Sequence, residues 1–376
     1  MMGLQSDWSN IKEIILYGFG RVGNAHFEKI ANVVKIKFII DNKVGIGEQY
    51  KGVPIYSMNS GLDKISNTKI VITASGRGYS SIRKSLEQYG YTENKDFINF
   101  ELFLANFYWE TSNKIGMSKL VFPVTNRCTL NCDKCNSFMP YRKKAFDREI
   151  GDLQEDIDLI FKFIDELSVF LIVGGEPLLY KFLNELILYV GENYKEKIGK
   201  ILIITNGTII PDDLLCKTIL KNNVEIRISN YGLSVEYQDK LQKVKNKLIS
   251  EGIRYTELVE MEWLDIGFPE EKLIMGTTQE ELHRHMLQCD SYCHGIYNKK
   301  LYFCTEALMA ELAELYKISE DDCIDLSNIK GTYEEKRKEI LEYQFGKMNR
   351  GYFGFCKYCR GLGENNKCVI KAGIQK

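Results

Sequence analysis

At 376 residues the chain exceeds one typical hydrophobic core, so two domains plus a small appendage are expected, each able to bury an interior. With 44% hydrophobic and 27% charged residues, a disordered chain is excluded. Lys and Arg (50) nearly balance Asp and Glu (51); the formal charge of -1 excludes a global field for nucleic acid or an anionic membrane and favours a small or neutral partner.

The first eleven residues lack the basic-then-apolar build of a signal peptide, and no later run approaches the ~20 apolar residues of a membrane span, so a cytoplasmic address off the membrane is expected. In that reducing setting 11 cysteines read as metal-binding or catalytic rather than disulfide-bonded. The four histidines include no zinc-finger pair, and thiolate-only ligation suits iron–sulfur.

The apolar run Lys12 to Tyr17 ends in Gly18-Phe19-Gly20-Arg21-Val22-Gly23 and continues into a helical pattern. A second run, Ile36 to Ile40, ends in Asp41; a third, Ile70 to Ala74, enters Ser75-Gly76. Strands alternating with helices predict a parallel sheet over residues 1–110. Small residues at Gly18, Gly20 and Gly23 let helix N-terminal amides approach a phosphate, and Asp41 stands where an acid meets ribose hydroxyls. A nucleotide site is one reading of this segment and a structural Rossmann-like remnant the other. With Gly52-Val53-Pro54-Ile55 it resembles the N-terminal Rossmann-like domain of acetyltransferases acting on UDP-amino sugars, which implies a nucleotide or nucleotide-sugar ligand.

After Tyr108 the pattern restarts, with strands at Lys119 to Val124, Phe170 to Val173, Ile201 to Ile204 and Val224 to Ile228. These βα repeats over 111–285 predict a partial barrel. A helix near Asp152 to Glu166 spaces Leu153, Ile157, Ile160, Phe161 and Ile164 on one face to cover the sheet. From 286 to 376 cysteines crowd and periodicity fades, as in a small metal-stapled module.

Cys128, Cys132 and Cys135 follow the first barrel strand at CxxxCxxC spacing. Three thiolates on a four-iron cluster leave one iron open to bind a reactant. Gly174-Gly175-Glu176-Pro177 ends the second strand, Thr205-Asn206-Gly207 the third and Ser229-Asn230 the fourth. The ordered set is similar to the radical S-adenosylmethionine (SAM) superfamily; a zinc knuckle with a distant fourth ligand is the alternative. The resemblance implies a partial (β/α)6 barrel and a 4Fe–4S cluster on the three cysteines. It implies SAM contacts from Gly174, Gly175, Glu176, Thr205, Asn206, Ser229 and Asn230, and a one-electron donor such as flavodoxin or ferredoxin. One departure is Lys134, where many members have an aromatic residue.

The C-terminal cysteines resemble the superfamily's SPASM or twitch auxiliary-cluster modules. That likeness implies a second 4Fe–4S cluster on Cys289, Cys304, Cys356 and Cys359, with Lys299 where glycine is usual, or a structural zinc on the same four. Cys293 competes with Cys289, and Cys368 can replace a member or stand free. Cys216 reads as a buried apolar residue, and Cys323 as an idle thiol or the hydrogen donor that radical epimerases require. Trp263 reads as a rim residue, Arg227 and Tyr231 as facing the pocket, and His283 and His285 as solvated.

Together these readings predict an α/β radical SAM oxidoreductase or epimerase acting on a small molecule, a carbohydrate or nucleotide-linked sugar. A peptide-modifying maturase and a non-catalytic iron–sulfur or zinc sensor are the rivals.

Overall fold

A computed structural model describes residues 8, 10–43, 47–65, 68–74, 77–289, 293–348, 350–363 and 365–376. The chain divides between Ile115 and Gly116 into two compact units.

The first unit carries β1 (Glu13–Tyr17), β2 (Lys35–Ile40), β3 (Gln49–Tyr50), β4 (Val53–Tyr56), β5 (Lys69–Ile72) and β6 (Phe97–Asn99). They form one sheet in the order β3-β4-β2-β1-β5-β6, in which only β3 runs antiparallel to its neighbour. The parallel part is doubly wound, and its order reverses between β1 and β5, where such folds open a crevice. Burial on both faces is why β1 and β2 read as near-continuous apolar runs: Ile14, Ile15, Leu16, Ile39 and Ile40 are wholly buried. The third predicted strand ends at Ile72, and the Ser75-Gly76 pair lies outside the described residues.

The second unit holds β7 (Gly116–Thr125), β8 (Glu166–Gly174), β9 (Ile198–Thr205), β10 (Glu225–Asn230) and β11 (Tyr255–Val259), each parallel to the next. β12 (Glu262–Leu264) follows. β13 (His294–Tyr297) then pairs parallel to β7 on its other side, and β14 (Lys300–Tyr302) and β15 (Cys323–Asp325) extend that edge antiparallel. β16 (Val369–Lys371) pairs with β12. The segment beyond residue 286 therefore begins by widening the barrel sheet.

Register separates the sheet's two faces. Leu120, Phe122, Phe170, Ile172, Ile201, Ile203, Ile226 and Ile228 share one face and are buried, with Phe122 and Phe170 stacked at 4.0 Å. The helices between strands, among them Ile150–Phe163 and Val235–Ser250, bury apolar stripes as sheet-covering helices do. The opposite face carries the half-buried Lys119, Val169, Val173, Leu202, Ile204 and Arg227 beside the buried Val121 and Leu171, and is the inner face of the sheet.

Asp156 on the helix Ile150–Phe163 fixes the added hairpin to this frame. Its Oδ2 lies 2.7 Å from Arg148 Nη2 in a fully buried ion pair, and its Oδ1 accepts the Lys299 backbone N–H at 2.5 Å. Lys299 and Asn298 form the β13–β14 turn with φ of 64° and 48°, which explains why glycine is usual at this position. Asp156→Leu leaves Arg148 buried without its anion and is expected to lower stability by about 3–5 kcal/mol in urea unfolding, while Arg148→Met with Asp156→Leu recovers most of that loss.

Candidate functional site

Strand ends β7 and β8 are stitched together by backbone. Gly175 N–H donates to Thr125 O (2.9 Å) and Glu176 N–H to Arg127 O (2.7 Å). A Cβ on Gly174 would meet Thr125 O at 2.4 Å, and one on Gly175 would meet Arg127 O at 2.4 Å, so only glycine lets these segments approach. The cysteine loop is thereby pressed onto the Gly174-Gly175 turn.

Glu176 is fully buried beneath this turn. Its carboxylate accepts from Thr205 Oγ1 (2.9 Å), Leu178 N (3.0 Å) and Asn206 N (2.8 Å). Burial pushes its carboxyl up to about 7 even though all three hydrogen bonds pull it down. Asn206 Nδ2 points to Cys128 Sγ (3.5 Å) and Thr129 Oγ1 (3.0 Å). Thr205 and Asn206 thus couple the third strand end to both Glu176 and the first cysteine.

Ser229 and Asn230 are placed differently. Ser229 Oγ donates to Glu260 Oε1 at 3.1 Å, and Glu260 Oε2 accepts from Trp263 Nε1 at 3.1 Å. Trp263 packs edge-on to Tyr231 at 5.3 Å. Asn230 exchanges hydrogen bonds with Gln238, Glu257 and Gly232, so its amide serves its own loop. Tyr237, which the sequence did not single out, donates its hydroxyl toward Asn206 O (2.9 Å) and Ser229 O (3.0 Å) and bridges the third and fourth strand ends.

The eleven sulfurs fall into distinct environments. Cys128 Sγ accepts from Leu130 N (3.4 Å) as well as Asn206, Cys132 Sγ accepts from Gln375 Nε2 (3.2 Å), and Cys135 receives amides of Ser137, Phe138 and Met139. In the C-terminal set Cys359 Sγ accepts from Gly361 N (3.2 Å) and Cys289 Sγ from Leu362 N (3.3 Å). N–H groups aimed at sulfur suit a thiolate ligand, whose charge they solvate. Cys216 and Cys323 instead lie near the carbonyls of Pro211 (3.9 Å) and Ser319 (3.8 Å), as neutral thiols do.

Burial first, with a smaller part from the neighbouring cysteines of the set, pushes Cys128 and Cys132 up to about 11. Cys304, Cys356 and Cys359 are held far above the usual thiol range by burial first, and each also feels the neighbouring Cys289. The donor chemistry and the mutual proximity of these thiols fit iron–sulfur ligation. Among the described residues, no three His, Cys, Asp or Glu side chains are gathered to hold a single metal ion; the irons of a cluster take their thiolates one each.

Cys293 stands apart from the four, with Lys119 Nζ 3.5 Å from its sulfur, and Cys368 is exposed. His283 and His285 are half-buried rather than solvated: His283 Nδ1 meets Gly351 O, and His285 Nε2 donates to Cys359 O at 2.7 Å. The helical spacing that suggested an exposed face is overridden by the returning C-terminal loop. Lys134 pairs with Asp265 (3.1 Å) and Glu270 (3.3 Å).

In the first unit, Gly18 has φ of +98°, and a Cβ on Gly23 would lie 2.2 Å from Gly18 O, so helix and strand touch through glycine. A Cβ on Gly20, the helix N-cap, would meet nothing within 4 Å. Asp41 turns inward: Oδ2 accepts from Phe19 N at 2.6 Å and Oδ1 from Lys43 N at 2.7 Å.

Residues 122–257 match the model of the Radical SAM superfamily. That stretch is similar to a radical SAM domain, and the match supports a 4Fe–4S cluster and SAM as cofactors. An uncharacterized protein of Methanocaldococcus jannaschii is 30% identical over 132 residues, which cover 35% of this chain and 44% of that protein. The chain thus spans less than half the length of the curated relative it matches. Among solved structures, anSMEcpe with bound AdoMet and Kp18Cys peptide aligns over 68% of this chain and 91% of its own at 14% identity and TM-score 0.43. BtrN with AdoMet and 2-DOIA aligns over 70% and 96% at 13% identity and TM-score 0.37. SuiB of Streptococcus suis with S-adenosylmethionine aligns over 54% and 48% at 17% identity and TM-score 0.30. Among the described residues no helix is long and apolar enough to cross a membrane.

Gln375, missed by spacing because it lies 243 residues from Cys132, is part of a strap. Asp133 N–H donates to Ile374 O (2.6 Å), Asn131 N–H to Gln375 Oε1 (2.8 Å) and Lys376 N–H to Asn131 O (2.8 Å). Gln375→Leu removes an N–H···S donor, so the potential of the reconstituted cluster is expected to fall in a redox titration at unchanged iron content.

Proposed function

We propose that the chain is a radical SAM enzyme in which Cys128, Cys132 and Cys135 hold the SAM-binding 4Fe–4S cluster. The observation that carries this is the Cys128–Cys135 loop itself, its sulfurs facing N–H donors and the Thr125 and Arg127 backbone that leads into it seated on Gly174 and Gly175. The bound cofactors supply one-electron cleavage of SAM and, from it, abstraction of hydrogen from an unactivated carbon.

The protein's part is binding, orientation and exclusion of water. Glu176 offers the SAM ammonium a carboxylate with three of its roughly four acceptor positions filled, leaving one free. Thr205, Asn206 and Tyr237 keep that carboxylate and the Cys128 loop in fixed relation. Ser229 acts through Glu260 at the rim.

Cys289, Cys304, Cys356 and Cys359 are the proposed ligands of a second cluster, supported by their mutual proximity and by the amides aimed at Cys289 and Cys359. Held there, a second cluster would supply a one-electron acceptor for oxidation of a hydroxyl-bearing carbon radical to a carbonyl, the hydroxyl proton passing to a base or solvent. That makes dehydrogenation the leading reaction, with epimerisation its nearest variant. A carbohydrate or nucleotide-linked sugar is the proposed substrate, supported by the doubly wound order of the first unit and the open helix start at Gly20.

Formation of 5′-deoxyadenosine by cluster-loaded, dithionite-reduced protein with SAM tests the enzyme reading; none in the presence or absence of nucleotide sugars and peptides rejects it. Cys356→Ala with Cys359→Ala should lower iron from about eight to about four per chain, and unchanged iron rejects the second cluster. Glu176 gives a signed pH dependence. Its carboxyl is protonated below about 7, so SAM affinity is expected to fall about tenfold per pH unit below that value and to stay level above it, in equilibrium dialysis. Glu176→Gln should weaken binding and flatten the profile.

A further inference from the structure

The barrel's inner face holds a polar group that the cofactor site does not use. β13 enters the sheet with His294 opposite Leu120, which places Cys293 beside Lys119 at the start of the pairing. Lys119 Nζ approaches Cys293 Sγ at 3.5 Å, and the same thiol lies in the field of the Arg227 guanidinium from β10 and the Glu306 carboxylate from the helix Thr305–Leu312.

Arg227 sits two residues before Ser229, about 7 Å down β10 from the rim. Its Nε is wholly buried and has no hydrogen-bond partner. A buried guanidinium N–H without an acceptor is costly, and the cost is removed when an anion arrives. Lys119 and Arg227 bring two positive charges against the one negative charge of Glu306, which leaves room for one more. Val169, Val173, Leu202 and Ile204 line the same half-buried face with apolar groups.

We propose that Lys119 and Arg227 form a recognition site for a carboxylate carried by the substrate. This deepens, and rests on, the reading that the barrel interior receives substrate below the strand-end cofactor site. A planar guanidinium matches a carboxylate through paired hydrogen bonds, while a lysine adds a compact second charge. The apolar wall takes the carbon skeleton and the cation pair sets its direction, so the carboxylate points down the barrel and the reacting carbon stands toward the mouth.

Cys293 reports on this site directly. Full-length, cluster-loaded protein is treated without oxygen with iodoacetate or iodoacetamide, and modification of Cys293 is followed by mass spectrometry. The two reagents meet the same thiol, so the ratio of rates cancels its intrinsic reactivity and reads the affinity of its surroundings for a carboxylate. Iodoacetate is expected to be the faster reagent by about tenfold, because a cationic cleft concentrates an anionic reactant. Arg227→Gln and Lys119→Met, each checked for unchanged iron content and circular dichroism, should bring the ratio to one or below, and acetate should slow iodoacetate in the parent protein. The proposal is overturned if iodoacetamide is faster in the parent or if both variants keep the parent ratio. A Cys293 that neither reagent reaches also overturns it, since a site open to a substrate carboxylate must admit a two-carbon one. Protection by inorganic phosphate but not by acetate overturns the carboxylate assignment. None of these outcomes depends on SAM cleavage, so a failed 5′-deoxyadenosine assay and a failed alkylation ratio are distinct results.

Discussion

The arrangement at the barrel mouth depends on one buried carboxylate. Glu176 has no ion-pair partner among the described residues; it is held by two backbone amides and a hydroxyl drawn from its own turn and the end of β9. Neutral donors offset only part of the cost of removing a charge from water, which is why its carboxyl is displaced upward. A group that weakens the empty fold in this way ties three strand ends and the cysteine loop to a single point. The glycines beside it are required for the same reason, since any side chain at Gly174 or Gly175 would push the loop off the turn.

The second constraint is the asymmetry of the sheet. One face is a continuous apolar layer centred on the stacked Phe122 and Phe170, and the helices between strands close it. The inner face is mixed, with the half-buried Lys119 and Arg227 set among apolar residues of which Val121 and Leu171 are buried. Because side chains alternate along a strand, a single run such as Lys119 to Val124 serves both faces at once. The β13–β15 extension adds Cys293 and the Cys304 turn to the frame, and Asp156 secures it through a backbone bond to Lys299.

Much of this was legible in the chain. Strands and their glycine-marked ends follow from period and punctuation, which are local, and the four barrel strands read from apolar runs appear as β7 to β10. The CxxxCxxC loop and the Gly174, Thr205 and Ser229 segments were visible because each lies where a strand stops. Contacts across long separations carried no local signal. Gln375 reaches Cys132 only after the chain returns, Tyr237 joins two strand ends from the following helix, and His285 meets Cys359 from 74 residues away. Asp41 adds a role that strand position does not show, since its oxygens accept from the backbone of Phe19 and Lys43.

The cysteines show how residue type and spacing are separated from role. All are free thiols in sequence terms, yet the direction of their hydrogen bonds differs. Sulfurs that receive amide N–H groups occur in the CxxxCxxC loop and in the Cys289–Cys359 set, whereas Cys216 and Cys323 face carbonyls. Burial favours the neutral thiol at these sites, and the amides offset part of that cost for the anion that iron requires. Cys293 belongs to neither group, because its close neighbour is a side-chain ammonium on a strand rather than a backbone amide. A cation on a side chain can turn to another anion, which a backbone N–H cannot, and that freedom is what a binding surface needs and a metal ligand does not.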